Sequence, residues 1–188
     1  MNDKLALFLM VGQTAQRSIR SLPNTVPQTR LMISDTFNLS EVLPEEAREA
    51  IHVAETFKLF YVLENYLRDF ILTVLSEADK DNWWNAVPKD VQDKVAESES
   101  TEDLKRWMNI NPRGKLALTT LPQLLRIIED TNNWKPHFES LVRDKALINQ
   151  TRLIVHTRNT VCHMSPVSRE EHERVQQVMR DWFRVVAP

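Results

Sequence analysis

From residue 44 to about residue 77 the chain carries apolar residues at three- and four-residue intervals, with no internal Pro or Gly. This pattern predicts one helix of roughly 30 residues, long for a globular domain. Pro44-Glu45-Glu46 opens it: proline pre-sets φ, and the acids favour the positive end of the helix dipole. Residues 79–82 break the pattern ahead of Trp83-Trp84, and Pro88 starts a short helix. Thr101-Glu102-Asp103 reads as the cap of a third, closed by Pro112 and Gly114. A fourth spans 119–130 with Pro122 in its first turn, and a short fifth spans 133–142. Residues 144–163 predict a second long helix, stopped by Ser165-Pro166. Ser168-Arg169-Glu170-Glu171 has capping-box form and starts a last helix running to Val186. Upstream, the apolar run 5–11 predicts a short amphipathic helix, and 21–43, with Pro23 and Pro27, a linker or irregular wrap. The expected organisation is an N-terminal helix and Pro-containing linker over 1–40, then an all-α bundle over 41–188. Two or three long helices build that bundle, joined by short ones.

Composition narrows the function classes. The 188 residues are 42% hydrophobic and 27% charged, which suits one core and argues against wholesale disorder. No apolar run approaches the ~18 residues of a membrane span. Two glycines leave too little turn chemistry for barrels, sandwiches or phosphate-cradling loops. A single cysteine excludes a disulfide framework and a Cys-rich zinc site, and points to a reducing, cytoplasmic compartment. The net charge of −2 hides an asymmetry. Residues 1–100 carry 10 Lys and Arg against 16 Asp and Glu, whereas 101–188 carry 14 against 10. An anionic partner would meet the second half, although scatter of solvated charges gives the same figures.

The candidate chemistry comes from charges on apolar faces. On the first long helix Val53, Phe57, Phe60, Leu63, Leu67, Ile71, Val74 and Leu75 share one arc at ~100° per residue. Glu64 falls inside that arc, and Arg68 follows at i,i+4. Such a pair is worth about 0.3–0.5 kcal/mol on a wet surface, but in a buried face it must be satisfied or it costs several kcal/mol. On the 144–163 helix Leu147, Ile148, Ile154, Val155, Val161 and Cys162 form the apolar side. Arg152, His156, Asn159 and His163 form a polar stripe opposite, while Arg158 projects into the apolar arc. One network resolves all three misplaced charges, with Glu64 bridging Arg68 and Arg158. It is either a buried ion network that locks helix register or a pre-organised cationic pocket beside His163. At the end of its helix His163 is an ordinary cap or, beside Arg158 and Asn159, a candidate acid or base.

Arg158-Asn159-Thr160-Val161-Cys162-His163 fits R-x(4–6)-H with a polar residue after the arginine. Late in a helical domain, this resembles the signature of the HEPN superfamily (higher eukaryotes and prokaryotes nucleotide-binding domains). Glu64-x-x-Leu67-Arg68-x-x-Ile71, Trp83-Trp84 before Val-Pro, and Leu121-x-x-Leu124 ahead of Trp134-x-x-x-Phe138 follow in an order similar to one subgroup. That subgroup is best known as the C-terminal module of a nuclear mRNA-surveillance endonuclease and in many bacterial proteins. The resemblance covers roughly residues 41–188. It implies a HEPN-like bundle that dimerises to form a composite cleft. The implied activity is that of a metal-independent endoribonuclease, a toxin or antiviral-defence effector with RNA as substrate and an antitoxin or regulatory protein as partner. It implies Arg158 and His163 as catalytic residues, with no metal or other cofactor. The residues suit that chemistry. Histidines titrating near ~6.5 can serve as base and acid at neutral pH, and arginine offers a planar fork to phosphate. Asn159 would assist, Glu64 and Arg68 would hold the pocket, and Arg152 and His156 are weaker substrate-binding candidates. Toxins of this superfamily controlled by adenylylation carry tyrosine two residues after the histidine. Here that position is Ser165, so the resemblance does not extend to that control. The alternative is a catalytically silent HEPN module that binds protein or nucleotide and dimerises.

Other groupings carry less. His156 and His163 share a face, but Cys162 points away from them, short of the three or four convergent ligands zinc needs. Trp83 and Trp84 fit core better than a base-stacking platform, and Cys162 reads as a small core residue rather than a nucleophile. Ser165, Ser168 and His172 have no carboxylate at triad spacing and no glycine elbow.

Overall fold

The structure, a computed structural model, describes residues 11–12, 14–15, 31–108 and 114–186. Of the amphipathic run 5–11 only Val11 lies among them; Pro23, Pro27, Pro112 and the first ten residues lie outside. The chain divides into two compact units, Met1–Ile51 and His52–Pro188.

In the first unit, the stretch expected as an irregular wrap is partly ordered. Strands β1 (Met32–Ser34) and β2 (Phe37–Asn38) pair antiparallel, and helix α1 (Leu39–Val42) follows directly. Polar side chains hold this piece together. Asn38 Oδ1 accepts the Ser40 N–H at 3.2 Å, and the buried Ser40 Oγ accepts the Leu31 N–H at 3.1 Å. Such local side-chain bonds replace the packing that an alternating pattern would have announced. Helix α2 (Pro44–Ala78) begins here with Glu45 and Glu46 in its first turn and continues into the second unit.

The second unit is the all-α bundle. Helix α2 buries Phe60, Leu63, Leu67, Ile71 and Leu75 along one stripe, each worth about 1.5–3 kcal/mol of transfer free energy. Helix α3 (Lys89–Asp103) buries Val91 and Val95. Its length corrects one expectation: Thr101 does not cap a new helix, because its hydroxyl donates backward to the Glu97 carbonyl at 3.0 Å and the turn continues. Helix α4 (Leu121–Glu129) starts at a capping box between Thr120 and Gln123 and buries five of its nine residues. The helix expected over 133–142 is instead three pieces: α5 (Thr131–Asn133), a π-helical turn at Trp134–Phe138 and α6 (Glu139–Val142). Pro136 has no N–H to give a regular α ladder, and the widened turn buries both Trp134 and Phe138.

The second long helix is also broken. Helix α7 (Lys145–Leu153) and helix α8 (Val155–Cys162) meet at Ile154, whose N–H bonds to the Thr151 carbonyl at 3.2 Å in a tightened turn. Ile154 and Val155 are β-branched, and Thr151 is committed elsewhere. Its hydroxyl donates to the Leu147 carbonyl and accepts from Trp182 Nε1 at 2.6 Å. Each residue of the tightened turn is advanced about 20° beyond a regular helix, so α8 as a whole is offset round its axis. Thr157 therefore turns inward and Cys162 outward, so Cys162 is exposed rather than core. Helix α9 (Arg169–Val185) closes the bundle, capped by Ser168 and buried through Val175, Val178, Met179 and Trp182. Among the described residues no helix is long and apolar enough to cross a membrane.

Candidate functional site

The site forms where α2 passes α8. Glu64 is 6% exposed, and both its oxygens are used. Oε2 accepts from Arg68 Nη2 at 2.7 Å and Oε1 from Arg158 Nε at 2.8 Å. The i,i+4 spacing on α2 puts Arg68 beside Glu64, while the bundle brings Arg158 in from 94 residues away. A buried carboxylate gripped by two charge-assisted bonds is fully satisfied.

The two arginines differ in what remains. Arg68 donates Nε to the Leu116 carbonyl at 2.9 Å, Nη2 also to the Thr119 carbonyl at 2.8 Å, and Nη1 to Asn65 Oδ1 at 3.2 Å. It is a structural clamp that ties α2 to the segment before α4. Arg158 spends only Nε, and neither of its Nη groups has a hydrogen-bond partner among the described residues. No fully buried side-chain nitrogen or oxygen there is unpartnered, so those donors reach solvent. Burial alone would lower the Arg158 pKa; the hydrogen bond and charge of Glu64, with Cys162 adding least, outweigh it and raise the pKa above its ordinary value.

Two clefts share Arg68, Ala117 and Arg158 as a common wall. One, of about 340 Å³, is lined on the α2 side by Phe57, Phe60, Tyr61 and Asn65 and on the α8 side by Val161 and Cys162. The other, of about 580 Å³, is polar, with Ser98, Thr101, Lys105 and Thr120 on its walls. Phe57, expected within the buried arc, is 49% exposed at the first cleft. The Phe57 and Cys162 placements are the parts of this site that periodicity misses. A wheel assigns apolar residues to the core and cannot see a cleft cut into the seam.

His163 lines neither cleft. It is the C-cap of α8, and five residues from Arg158 it stands about 140° further round the helix. Its N–H bonds to the Asn159 carbonyl at 3.0 Å, but its ring makes no hydrogen bond to the Asn159 side chain among the described residues. Met164 follows at φ 56°, in the left-handed region, and closes a Schellman motif. Ser165 N–H reaches the Thr160 carbonyl at 3.1 Å and Met164 N–H the Val161 carbonyl at 3.0 Å. This fixes the helix end and presents an exposed His163 at the negative pole of the dipole. Of the remaining stripe, His156 and Asn159 are exposed, while Arg152 is taken up by Glu129 on α4 and by Asn149.

Trp83 and Trp84 form an edge-to-face pair against the core, with centroids 5.4 Å apart and Lys115 over Trp84. They are not part of either cleft.

This all-helical bundle, with a buried Glu–Arg pair on its early helix against the arginine of a late Arg-x4-His string, is matched as a HEPN domain. The family model described as Swt1-like HEPN matches residues 58–187, and the chain belongs to that family. No curated protein and no solved structure gives a significant match.

Proposed function

We propose that this chain is a metal-independent endoribonuclease whose cleavage site is a composite cleft formed by two copies. The observation that supports it most is the open edge of Arg158: a buried carboxylate holds the guanidinium by Nε, its Nη groups have no hydrogen-bond partner among the described residues, and the residue lines both clefts. That is the arrangement a scissile phosphate needs, a fork pre-aimed and paired from behind. In the reaction the ribose 2′-oxygen attacks phosphorus, its proton passes to a base, and the P–O5′ bond breaks. An acid protonates the leaving O5′. The products are a 2′,3′-cyclic phosphate and a 5′-hydroxyl. Arg158 steadies the charge growing on the non-bridging oxygens, while Glu64 and Arg68 position it. His163 supplies proton transfer, and one histidine from each copy provides both base and acid. Asn159, on the same exposed stripe, would orient substrate or ring, with His156 a lesser contact. A regulatory protein partner fits an exposed site of this kind.

A silent HEPN module that binds protein or nucleotide is the second reading. It is favoured by the separation of His163 from the clefts that Arg158 lines within one copy. The test is incubation of wild type and His163→Ala with structured and unstructured RNA in excess EDTA, after circular dichroism shows equal helicity. Cleavage by wild type, slowed on the order of 10²–10⁴-fold in the variant, is expected. Equal cleavage by both removes His163 from the chemistry, and none by either favours the silent module.

A further inference from the structure

We propose that the cleft between α2 and α8 binds one unpaired RNA nucleotide, its base stacked on Tyr61 and Phe57 and its phosphate on the open edge of Arg158. The proposal rests on RNA being the ligand class and adds how the strand is held. Phe57 and Tyr61 stand one turn apart on α2, and each leaves about half or more of its surface to solvent, at 49% and 64%. Their stripe runs on through Glu64 to Arg68, so the aromatic wall ends at the guanidinium pair. A nucleotide has that layout: a flat face of any base, and one sugar away, a negative charge. A cleft of about 340 Å³ lies within the range that small-ligand sites occupy.

Competing occupants fit less well. A purely apolar partner would strip water from the Arg158 Nη groups and return no acceptor. A second copy packed flat onto this face would bury the same unpaired cation at the centre of an interface, where charge is depleted, whereas a composite cleft leaves it open to substrate. A free phosphate would leave the aromatic wall unused. Duplex RNA keeps its bases stacked internally and cannot deliver one to Tyr61, so the cleft selects unpaired strands. It reads base faces more than edges. Asn65 is the wall's amide, and both of its polar atoms are already engaged, Nδ2 by the Tyr61 carbonyl at 2.7 Å and Oδ1 by Arg68, which holds it to its own helix. Stacking without edge contacts tolerates any base.

The test uses the full chain carrying His163→Ala, which keeps the strand intact, in EDTA at fixed salt. Fluorescence anisotropy compares a short labelled oligoadenylate with the same strand made abasic. Adding Tyr61→Ala is expected to weaken oligoadenylate binding on the order of 5- to 100-fold, and Tyr61→Trp to retain it, with little change on the abasic strand. The sole cysteine, Cys162, lines the same cleft and reports occupancy. Oligoadenylate should slow its alkylation by iodoacetamide, and Tyr61→Ala should remove that protection. Unchanged oligoadenylate binding in Tyr61→Ala, or equal loss on both strands, overturns the proposal while leaving RNA as the ligand. A Tyr61→Ala change in oligomeric state with base-dependent binding intact assigns the patch to a contact between copies and also overturns it. If neither strand binds any form of the protein, the RNA reading fails and this proposal with it.

Discussion

Helix α2 meets α9 through Thr56 and His172, and two turns further along it meets α8 through Glu64 and Arg158. Both are polar crossings in a seam that is otherwise apolar. At the first, the Thr56 hydroxyl and both ring nitrogens of His172 are used. Thr56 gives its hydroxyl proton to the His52 carbonyl at 3.1 Å, so its oxygen accepts from His172 Nδ1 at 2.8 Å. That leaves His172 Nε2 as the acceptor for the Gln176 amide at 3.0 Å. The crossing closes on itself. At the second, Glu64 and Arg68 are equally saturated, but Arg158 keeps two donor groups over. A fully satisfied crossing fixes helix register and can do no more; one with donors left over can also bind an anion.

The largest effect should come from Glu64→Gln. It removes one charge from a buried group that answers two cations, and breaking such a network costs about 3–5 kcal/mol. Urea unfolding measures it. A loss below about 1 kcal/mol would mean that the two arginines are solvated like surface pairs and that the pocket is not held from behind.

Thr56→Val should cost less, about 1–3 kcal/mol, because it strands one neutral ring N–H under a side chain of the same shape. It also separates the two crossings by function. Stability should fall while RNA cleavage at saturating enzyme stays unchanged, and a parallel loss of cleavage would show that the crossings are coupled.

Met164→Gly sharpens the comparison from the other side. The Met164 backbone is left-handed, which costs a side-chain-bearing residue roughly 1–2 kcal/mol, whereas glycine takes it freely. The variant should gain about 1 kcal/mol in urea unfolding, with the end of α8 and His163 still in place. No gain would mean that the Met164 side chain offsets the strain through contacts of its own.

These sites differ in how far the sequence reveals them. Glu64, Arg68 and Arg158 stand out because each is a charge where the period demands an apolar residue, and one bridging carboxylate is the cheapest way to satisfy all three. Thr56 leaves no such mark: a threonine on an apolar face is unremarkable, and its partner His172 lies 116 residues away. The all-α class is legible from long runs without Gly or Pro. The breaks at Ile154 and Trp134 are not, since each is settled by tertiary partners, the Thr151–Trp182 bond in one case and the burial of Trp134 and Phe138 in the other. The exposure of Cys162 follows from the first of those breaks, so one missed turn moved the lone thiol from expected core to cleft wall.

The smallest effect, and the one most particular to the closed crossing, is a pH dependence carried by His172. Burial pushes its pKa below the ordinary value, the nearby His52 adds to that, and Glu55 and Glu173 oppose it. The Gln176 contact acts in the same direction, because protonation puts a proton on Nε2 facing that amide donor. With the folded pKa depressed, the unfolded chain takes up a proton first as pH falls. Stability is therefore whole above the unfolded value of ~6.5 and declines as pH drops below it toward the folded pKa. Melting temperature followed from about pH 7 to about pH 5.5 should fall more steeply for wild type than for His172→Gln. The Thr56→Val variant should keep most of that slope, since the Nδ1 proton that the hydroxyl accepts is present in both ring forms and the Gln176 amide still opposes protonation at Nε2. Identical slopes in wild type and His172→Gln would place the proton uptake elsewhere and leave Thr56 and His172 as a packing contact with no preference between the two ring forms.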